Sequence, residues 1–320
     1  MSDIANILKY MNLADFLFII VFPLVLLFLL LIIFISGLFK EKPQRELMTM
    51  DEFMMDWLKD HGQAHKVDES FAKMKKDPAG KIYMPITYRG AKTFIKLGLS
   101  PNKVSLIGLI LSFFIFWGVI MASPSRGQTL DPITQQPAYG SWFFALGFLV
   151  LYTGISDGID GSIARLLDIK SKTGAWFDNI IDRVSDILVL VCFVPTSLLV
   201  LPSFGLDFTW IAWTNIFLIF IYEYMRARHE GLGLHETKPF IGERIMRVIV
   251  NATFFFVYGI SSFAVFLTYL VNPSATIWND THLGVITWTM LIYQIVLLAM
   301  MVLSMILFSK YIWKNLEKLE

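Results

Sequence analysis

The residues best suited to chemistry are four carboxylates, Asp157, Asp160, Asp178 and Asp182. They lie in D-G-I-D-G-S-I-A-R-L-L-D-I-K-S-K-T-G-A-W-F-D-N-I-I-D, flanked on both sides by membrane-like sequence. One aspartate at the centre of a spanning helix costs about 3 kcal/mol on insertion scales, so four left in lipid cost on the order of 10 kcal/mol. They therefore require a polar cavity, a cation or one another. The spacing of three in the first pair and four in the second puts each pair on one face of its own helix. Two such helices, joined by a polar turn around Ile169 to Thr173, can aim all four side chains at a common point. Converging carboxylate oxygens make a hard-cation site suited to Mg²⁺ or Mn²⁺. The competing reading is a polar seam that only packs helices together, but such seams use small or hydrogen-bonding residues rather than four acids.

The neighbouring residues agree with a phosphate ligand. Gly161 and Ala164 lie on or beside the carboxylate face, where a bulky side chain would hold phosphates away. Arg165 offers a planar fork of donors to phosphate oxygens, and Gly174 opens the second helix. Asp157, Asp160, Gly161, Ala164, Arg165, Gly174, Asp178 and Asp182 match every fixed position of D-x2-D-G-x2-A-R-x8-G-x3-D-x3-D, so the chain resembles the CDP-alcohol phosphotransferases. The resemblance implies a six-helix membrane core that binds a CDP-linked alcohol through Gly161, Ala164, Arg165 and Gly174. It implies two divalent ions held by the aspartates, the first three as ligands and Asp182 as base on the acceptor hydroxyl, and it implies a homodimer.

Membrane elements must position these groups. The chain has 320 residues, of which 56% are hydrophobic and 15% aromatic, more than a soluble core needs. A net charge of +1 suggests no nucleic-acid partner. The lone Cys192, in an apolar run, reads as a small core residue. The five histidines are scattered and form no zinc pattern.

The expected fold is all-α and integral to the membrane, in three parts. Residues 1–39 carry an N-terminal anchor whose apolar run is Phe16 to Leu38. Residues 40–99 form an amphipathic and linker segment, with Leu47, Met50, Met54, Trp57 and Leu58 at helical spacing, a charged connector over Gly62 to Gly80 and a short amphipathic stretch over Thr93 to Leu97. The stripe suggests an amphipathic helix lying against the membrane or another helix, with a solvated connector of no function of its own as the favoured reading. Residues 100–320 carry six spans, near Val104 to Met121, Trp142 to Ile155, Trp176 to Leu199, Trp210 to Met225, Val248 to Leu270 and Val285 to Phe308. Ser100 and Pro101 form a helix-entry signature. Asn102 and Ser105, in a stretch that resembles the family's first core helix, are candidate nucleotide contacts, although capping and packing explain them equally well. With the acidic motif facing the cytoplasm, only Lys9 and Arg126 of the 27 Lys and Arg fall outside, as the positive-inside rule favours.

A second stretch, Y-M-R-A-R-H-E-G-L-G-L-H-E-T-K-P-F-I-G-E-R-I-M-R from Tyr224 to Arg247, returns to the same face. Basic residues are ordinary at a cytoplasmic helix end, but Arg244 and Arg247 share one face at a spacing of three and can clamp an anion. The stretch resembles the branch of phosphatidylinositol-phosphate and archaetidylinositol-phosphate synthases, departing from it at His229. By that likeness Arg226, Arg244 and Arg247 bind the phosphate of an inositol-phosphate acceptor. The expected function is transfer of a phosphatidyl-type group from a CDP-linked lipid in the bilayer to a small polar alcohol, releasing CMP. The rivals are another acceptor such as glycerol phosphate or serine, a CDP-head-group donor with a lipid acceptor, a divalent-cation transporter and a non-catalytic scaffold.

Overall fold

The computed structural model describes residues 12–40, 46–123, 140–201, 204–234, 240–272, 274 and 276–318. An N-terminal helix, α1 (Leu13–Leu38), precedes three shorter ones, α2 (Met50–Leu58), α3 (Val67–Met74) and α4 (Met84–Lys96). Six long helices follow: α5 (Pro101–Ala122), α6 (Trp142–Leu167), α7 (Lys172–Val191), α8 (Thr209–Gly231), α9 (Arg244–Val271) and α10 (Thr276–Leu316). The only strands among the described residues are β1 (Val200–Leu201) and β2 (Leu206–Asp207), paired antiparallel between α7 and α8. The fold is otherwise all-α.

Five helices among the described residues are long and apolar enough to cross a membrane: α1, α5, α6, and stretches of α9 and α10. Seven spans were expected. α7 and α8 fall outside the five, and α7 alone carries Asp178, Asp182, Arg183 and Asp186. Two expected helix ends and one expected cap also differ. α6 runs unbroken through the first aspartate pair to Leu167, because neither acids nor glycine need end a helix whose polar face has partners. α7 ends at Val191 rather than Leu199, close before Pro195, which lacks an N–H donor and restrains the residue before it. Ser100 precedes α5 with extended backbone angles, but its side chain makes no capping bond. Its carbonyl instead accepts from Lys103 and Val104.

α6 is the central element, packed against α4, α5 and α9. Its two faces have different partners. Ile159, Ile163 and Leu166, at helical spacing, are buried in a cluster with Phe53, Met54 and Leu58 of α2 and Met84, Ala91 and Ile95 of α4. A separate cluster, including Phe143, Phe193, Tyr222, Phe255 and Tyr293, fills the bundle formed by the long helices.

The segment before residue 99 is therefore not a solvated connector where it is described. A capping box between Thr49 and Glu52 starts α2, and Phe53 is fully buried. Part of the expected Gly62 to Gly80 linker is α3, whose Val67, Phe71 and Met74 fall at helical spacing; Phe71 and Met74 join the cluster with Phe53. The turn after α4 passes through Gly98, whose φ of 72° places it in the left-handed region. A Cβ there would also collide with the backbone of Gly37, so the end of α1 docks on this turn.

α1 is peripheral, with only 6% of its most apolar window buried, against 44–50% in the other four candidate spans. It lies along α5 through Phe18 and Phe22, whose rings meet Phe116 and Phe113. Pro23 has no N–H to give the preceding turn, the backbone widens over Leu17–Val21, and the Phe18 carbonyl accepts from Trp117 Nε1 at 3.0 Å.

Candidate active site

The local sequence explains how the two acidic helices face each other. α6 stops at Asp168, which adopts the left-handed conformation (φ 57°) while Ile169 N–H donates to the Ala164 carbonyl. Ser171 then caps α7 by accepting from Gly174 N–H at 3.0 Å. This short turn returns the chain beside itself and brings the aspartates of α7 opposite those of α6.

One carboxylate oxygen from each of Asp157, Asp160 and Asp178 can be chosen such that all three lie within 4.8 Å of one another. Asp160 is 3% exposed and accepts from Ser105 Oγ at 2.5 Å, while Asp178 Oδ1 is buried with no hydrogen-bond partner. Asp182 stands one turn further along α7, 2.6 Å from Arg244 Nη1, which is also 3.1 Å from Asp157. Arg244 Nη1 lacks a well-aligned hydrogen bond despite these distances, so charge rather than directional bonding holds it there. A cavity of about 200 Å³ is lined by Ser105, Asp157, Asp160, Asp178, Asp182 and Arg244, among others. A second, of about 380 Å³, adjoins it through Thr153, Ser185 and Arg244.

Of the expected donor residues, Ser105 bonds to the cluster directly, and Gly161, Ala164 and Arg165 share the helix of its first two aspartates. A Cβ on Gly161 would have only Arg165 Nη1 near it, at 3.1 Å, so this side of the motif is open. Asn102 is exposed and faces Gly174 at the start of α7, its Oδ1 3.6 Å from where a Cβ would stand. Ala164 is partly buried on α6.

The three expected acceptor arginines separate. Only Arg244 lines the carboxylate cavity. Arg247 is 2% exposed and bonded to Asp186 (2.6 Å), Glu223 (2.9 Å) and the Gly242 carbonyl (2.6 Å). Arg226 donates to Glu243 at 2.8 Å. Lys238 lies outside the described residues. The ion network of Asp186, Arg183, Glu223 and Arg247 was missed in the sequence, although Asp186 continues the four-residue spacing from Asp178 and Asp182. Removing one member of a buried ion pair leaves its partner's charge uncompensated. Arg247→Ala is therefore expected to cost about 3–5 kcal/mol. Arg226→Ala, at a more exposed pair, is expected to cost about 1 kcal/mol or less. Melting temperatures in detergent check this, and equal losses would count against the network.

Residues of the segment before residue 99 also reach the site, and no local signal in the sequence marks them. Tyr83 places its hydroxyl against Gly158, where a Cβ would collide with it. Burial, then the charge of Asp157, pushes the hydroxyl's pKa up. Asp60 accepts from Arg165 Nε at 3.0 Å and from Lys170 Nζ at 2.9 Å, and Asp56 also accepts from Lys170, at 2.9 Å. Burial opposes the Asp60 charge, but the Lys170 hydrogen bond and the charge of Arg165 prevail and hold its carboxyl below the ordinary carboxylate range. A depressed carboxylate pKa stabilises above the unfolded value of about 3.9 and loses that contribution as pH falls through the folded one, so these contacts persist at neutral pH.

The donor set suits a divalent cation. Three carboxylates with clustered oxygens, one oxygen buried without a partner, and no nitrogen or sulfur ligand describe a site for a hard ion such as Mg²⁺ or Mn²⁺.

The chain is similar in sequence to several known proteins. A protein of Aquifex aeolicus (strain VF5) described only as uncharacterized is 33% identical over 150 residues, 44% of this chain and 61% of that protein. The archaetidylinositol phosphate synthase of Pyrococcus horikoshii is 26% identical over 174 residues, 53% of this chain and 76% of the relative. The phosphatidylinositol phosphate synthase of Streptomyces avermitilis is 26% identical over 164 residues, 50% of this chain and 58% of the relative. Thus the match spans less than two thirds of the Aquifex and Streptomyces proteins. The crystal structure of Mycobacterium tuberculosis phosphatidylinositol phosphate synthase (PgsA1) with CDP-DAG bound aligns over 68% of this chain and 94% of that one, at 21% identity and a TM-score of 0.40. Residues 99–312, which hold the acidic pair of helices and the basic stretch after Tyr224, match the family model described as CDP-alcohol phosphatidyltransferase, and the chain belongs to that family.

Proposed function

We propose that this protein transfers a phosphatidyl-type group from a CDP-linked lipid to a small polar alcohol, releasing CMP, and that the acceptor is an inositol phosphate. The observation that carries the transfer is the convergence of Asp157, Asp160 and Asp178 beside an Asp182–Arg244 pair. The inositol-phosphate acceptor rests on the archaetidylinositol and phosphatidylinositol phosphate synthases among the relatives.

Asp157, Asp160 and Asp178 would hold two divalent ions, which when bound neutralise phosphate charge in an in-line displacement. Arg165, on the open Gly161 side, binds donor phosphate oxygens with its Nη groups, and Asn102 and Ser105 are nucleotide contacts. Asp182 takes the proton of the acceptor hydroxyl, that oxygen attacks the β-phosphorus, and the bond to CMP breaks. Arg244 takes the acceptor's phosphate, a role supported by its position between Asp182 and Asp157. Arg226 and Arg247 support this end through their acidic partners. The site opens on the cytoplasmic side, the orientation that the basic residues favour, and family likeness adds a homodimer.

Purified protein supplied with CDP-lipid, Mg²⁺ and each candidate alcohol in turn tests this reading. CMP release that requires inositol phosphate is expected. Release with glycerol phosphate or serine alone would replace the acceptor, and no release with any alcohol would overturn the transferase reading. A cation path would spread its acids through the membrane depth, whereas these converge on one cavity.

A further inference from the structure

The donor reading leaves unexplained why a segment about a hundred residues upstream of Arg165 bonds to its guanidinium. We propose that Asp60 is a positioning residue of the donor site: its carboxylate takes Arg165 Nε and so aims the two Nη groups toward the phosphate side of the motif. This rests on the assignment of Arg165 to the donor phosphates.

The geometry favours orientation over blockage. Asp60 Oδ2 accepts from Nε at 3.0 Å, while Nη1 points to the open side of Gly161. A guanidinium carries five N–H donors in a fixed plane, so capture at Nε sets the direction of the other four. The anchor is itself fixed. Lys170, in the turn between α6 and α7, bonds both Asp60 oxygens, at 2.9 and 3.1 Å, and also Asp56, one helical turn earlier. Behind these acids, Phe53, Met54 and Leu58 are buried with Ile159, Ile163 and Leu166 on the opposite face of α6, the helix that carries Arg165. The Tyr88 hydroxyl donates to the Met48 carbonyl at 2.7 Å and ties the start of α2 to α4. The upstream segment thus grips α6 from behind and reaches round its end to hold one side chain.

The test measures binding of CDP-diacylglycerol in mixed micelles with Mg²⁺ by full-length protein, with melting temperature recorded alongside. Asp60→Ala is expected to weaken binding about tenfold, with the melting temperature close to wild type because the pair is partly exposed. Asp60→Asn should recover part of the affinity, since its amide oxygen still accepts from Nε. In an Arg165→Ala background, Asp60→Ala should have no further effect, because it acts only through Arg165. Lys75→Ala, which breaks an exposed pair with Asp51 on the same segment, should leave binding unchanged. Wild-type affinity in Asp60→Ala, or additive losses in the double variant, would overturn the positioning role while leaving the donor assignment standing. Failure of the wild-type protein to bind CDP-diacylglycerol would overturn both.

Discussion

Asp182→Asn is expected to lower turnover about a thousandfold, in the range seen when a positioned general base is removed, while CDP-lipid binding stays near wild type. The argument is geometric. Asp182 is the one acid of the quartet outside the three-oxygen cluster, is 7% exposed and pairs most closely with Arg244. Asparagine keeps the shape and loses the proton acceptor. Arg244 retains Asp157 and Asp186 as counter-charges, so the fold is not expected to fail. CMP release measured with saturating acceptor, together with donor binding, checks it. Full turnover would displace Asp182 from its role, and a parallel loss of donor binding would place it among the donor ligands instead.

Asp160→Asn is expected to have a comparable effect on activity by a different route. Three carboxylates this close repel one another without a cation. Replacing the most buried of them with a neutral amide should raise the melting temperature of the metal-free protein. It should also abolish the further rise that Mg²⁺ gives wild type, because stabilisation by a ligand scales with its affinity for the folded state. The expected fall in divalent-ion affinity is on the order of a hundredfold, the upper range for losing even an indirect partner of a metal. Melting curves with and without Mg²⁺ and titration with Mn²⁺ read this directly. A variant with the same Mg²⁺ response as wild type would remove Asp160 from the ligand set. The pair of variants also separates two roles, since Asp182→Asn should keep the Mg²⁺ response that Asp160→Asn loses.

The aspartate motif was legible because its chemistry is local. Residues three or four apart on one helix share a face whatever surrounds them, and Asp168, Ser171 and Gly174 close the turn with bonds to near neighbours. The basic stretch was legible only as charge. Whether Arg244 or Arg247 meets the cavity depends on which acids of α7 and α8 lie across from α9, and helical spacing alone puts both on one face. Their partners, Asp157, Asp182, Asp186 and Glu223, lie some 20 to 90 positions away.

The upstream segment was the largest misreading. Its apolar residues fall at helical spacing among many charges, but the sequence alone does not reveal that α6 offers them a second apolar face behind its acids.

From its sequence alone, this chain determined an all-α membrane core, a pair of two-faced acidic helices and the donor set for a hard cation, since each follows from residue type and short-range periodicity. Tertiary structure alone decided which arginine enters the cavity, which ones balance buried acids, and that Asp60 and Tyr83 reach the motif. Those outcomes depend on pairing between charges distant in the chain, which only the packing of helix against helix can set.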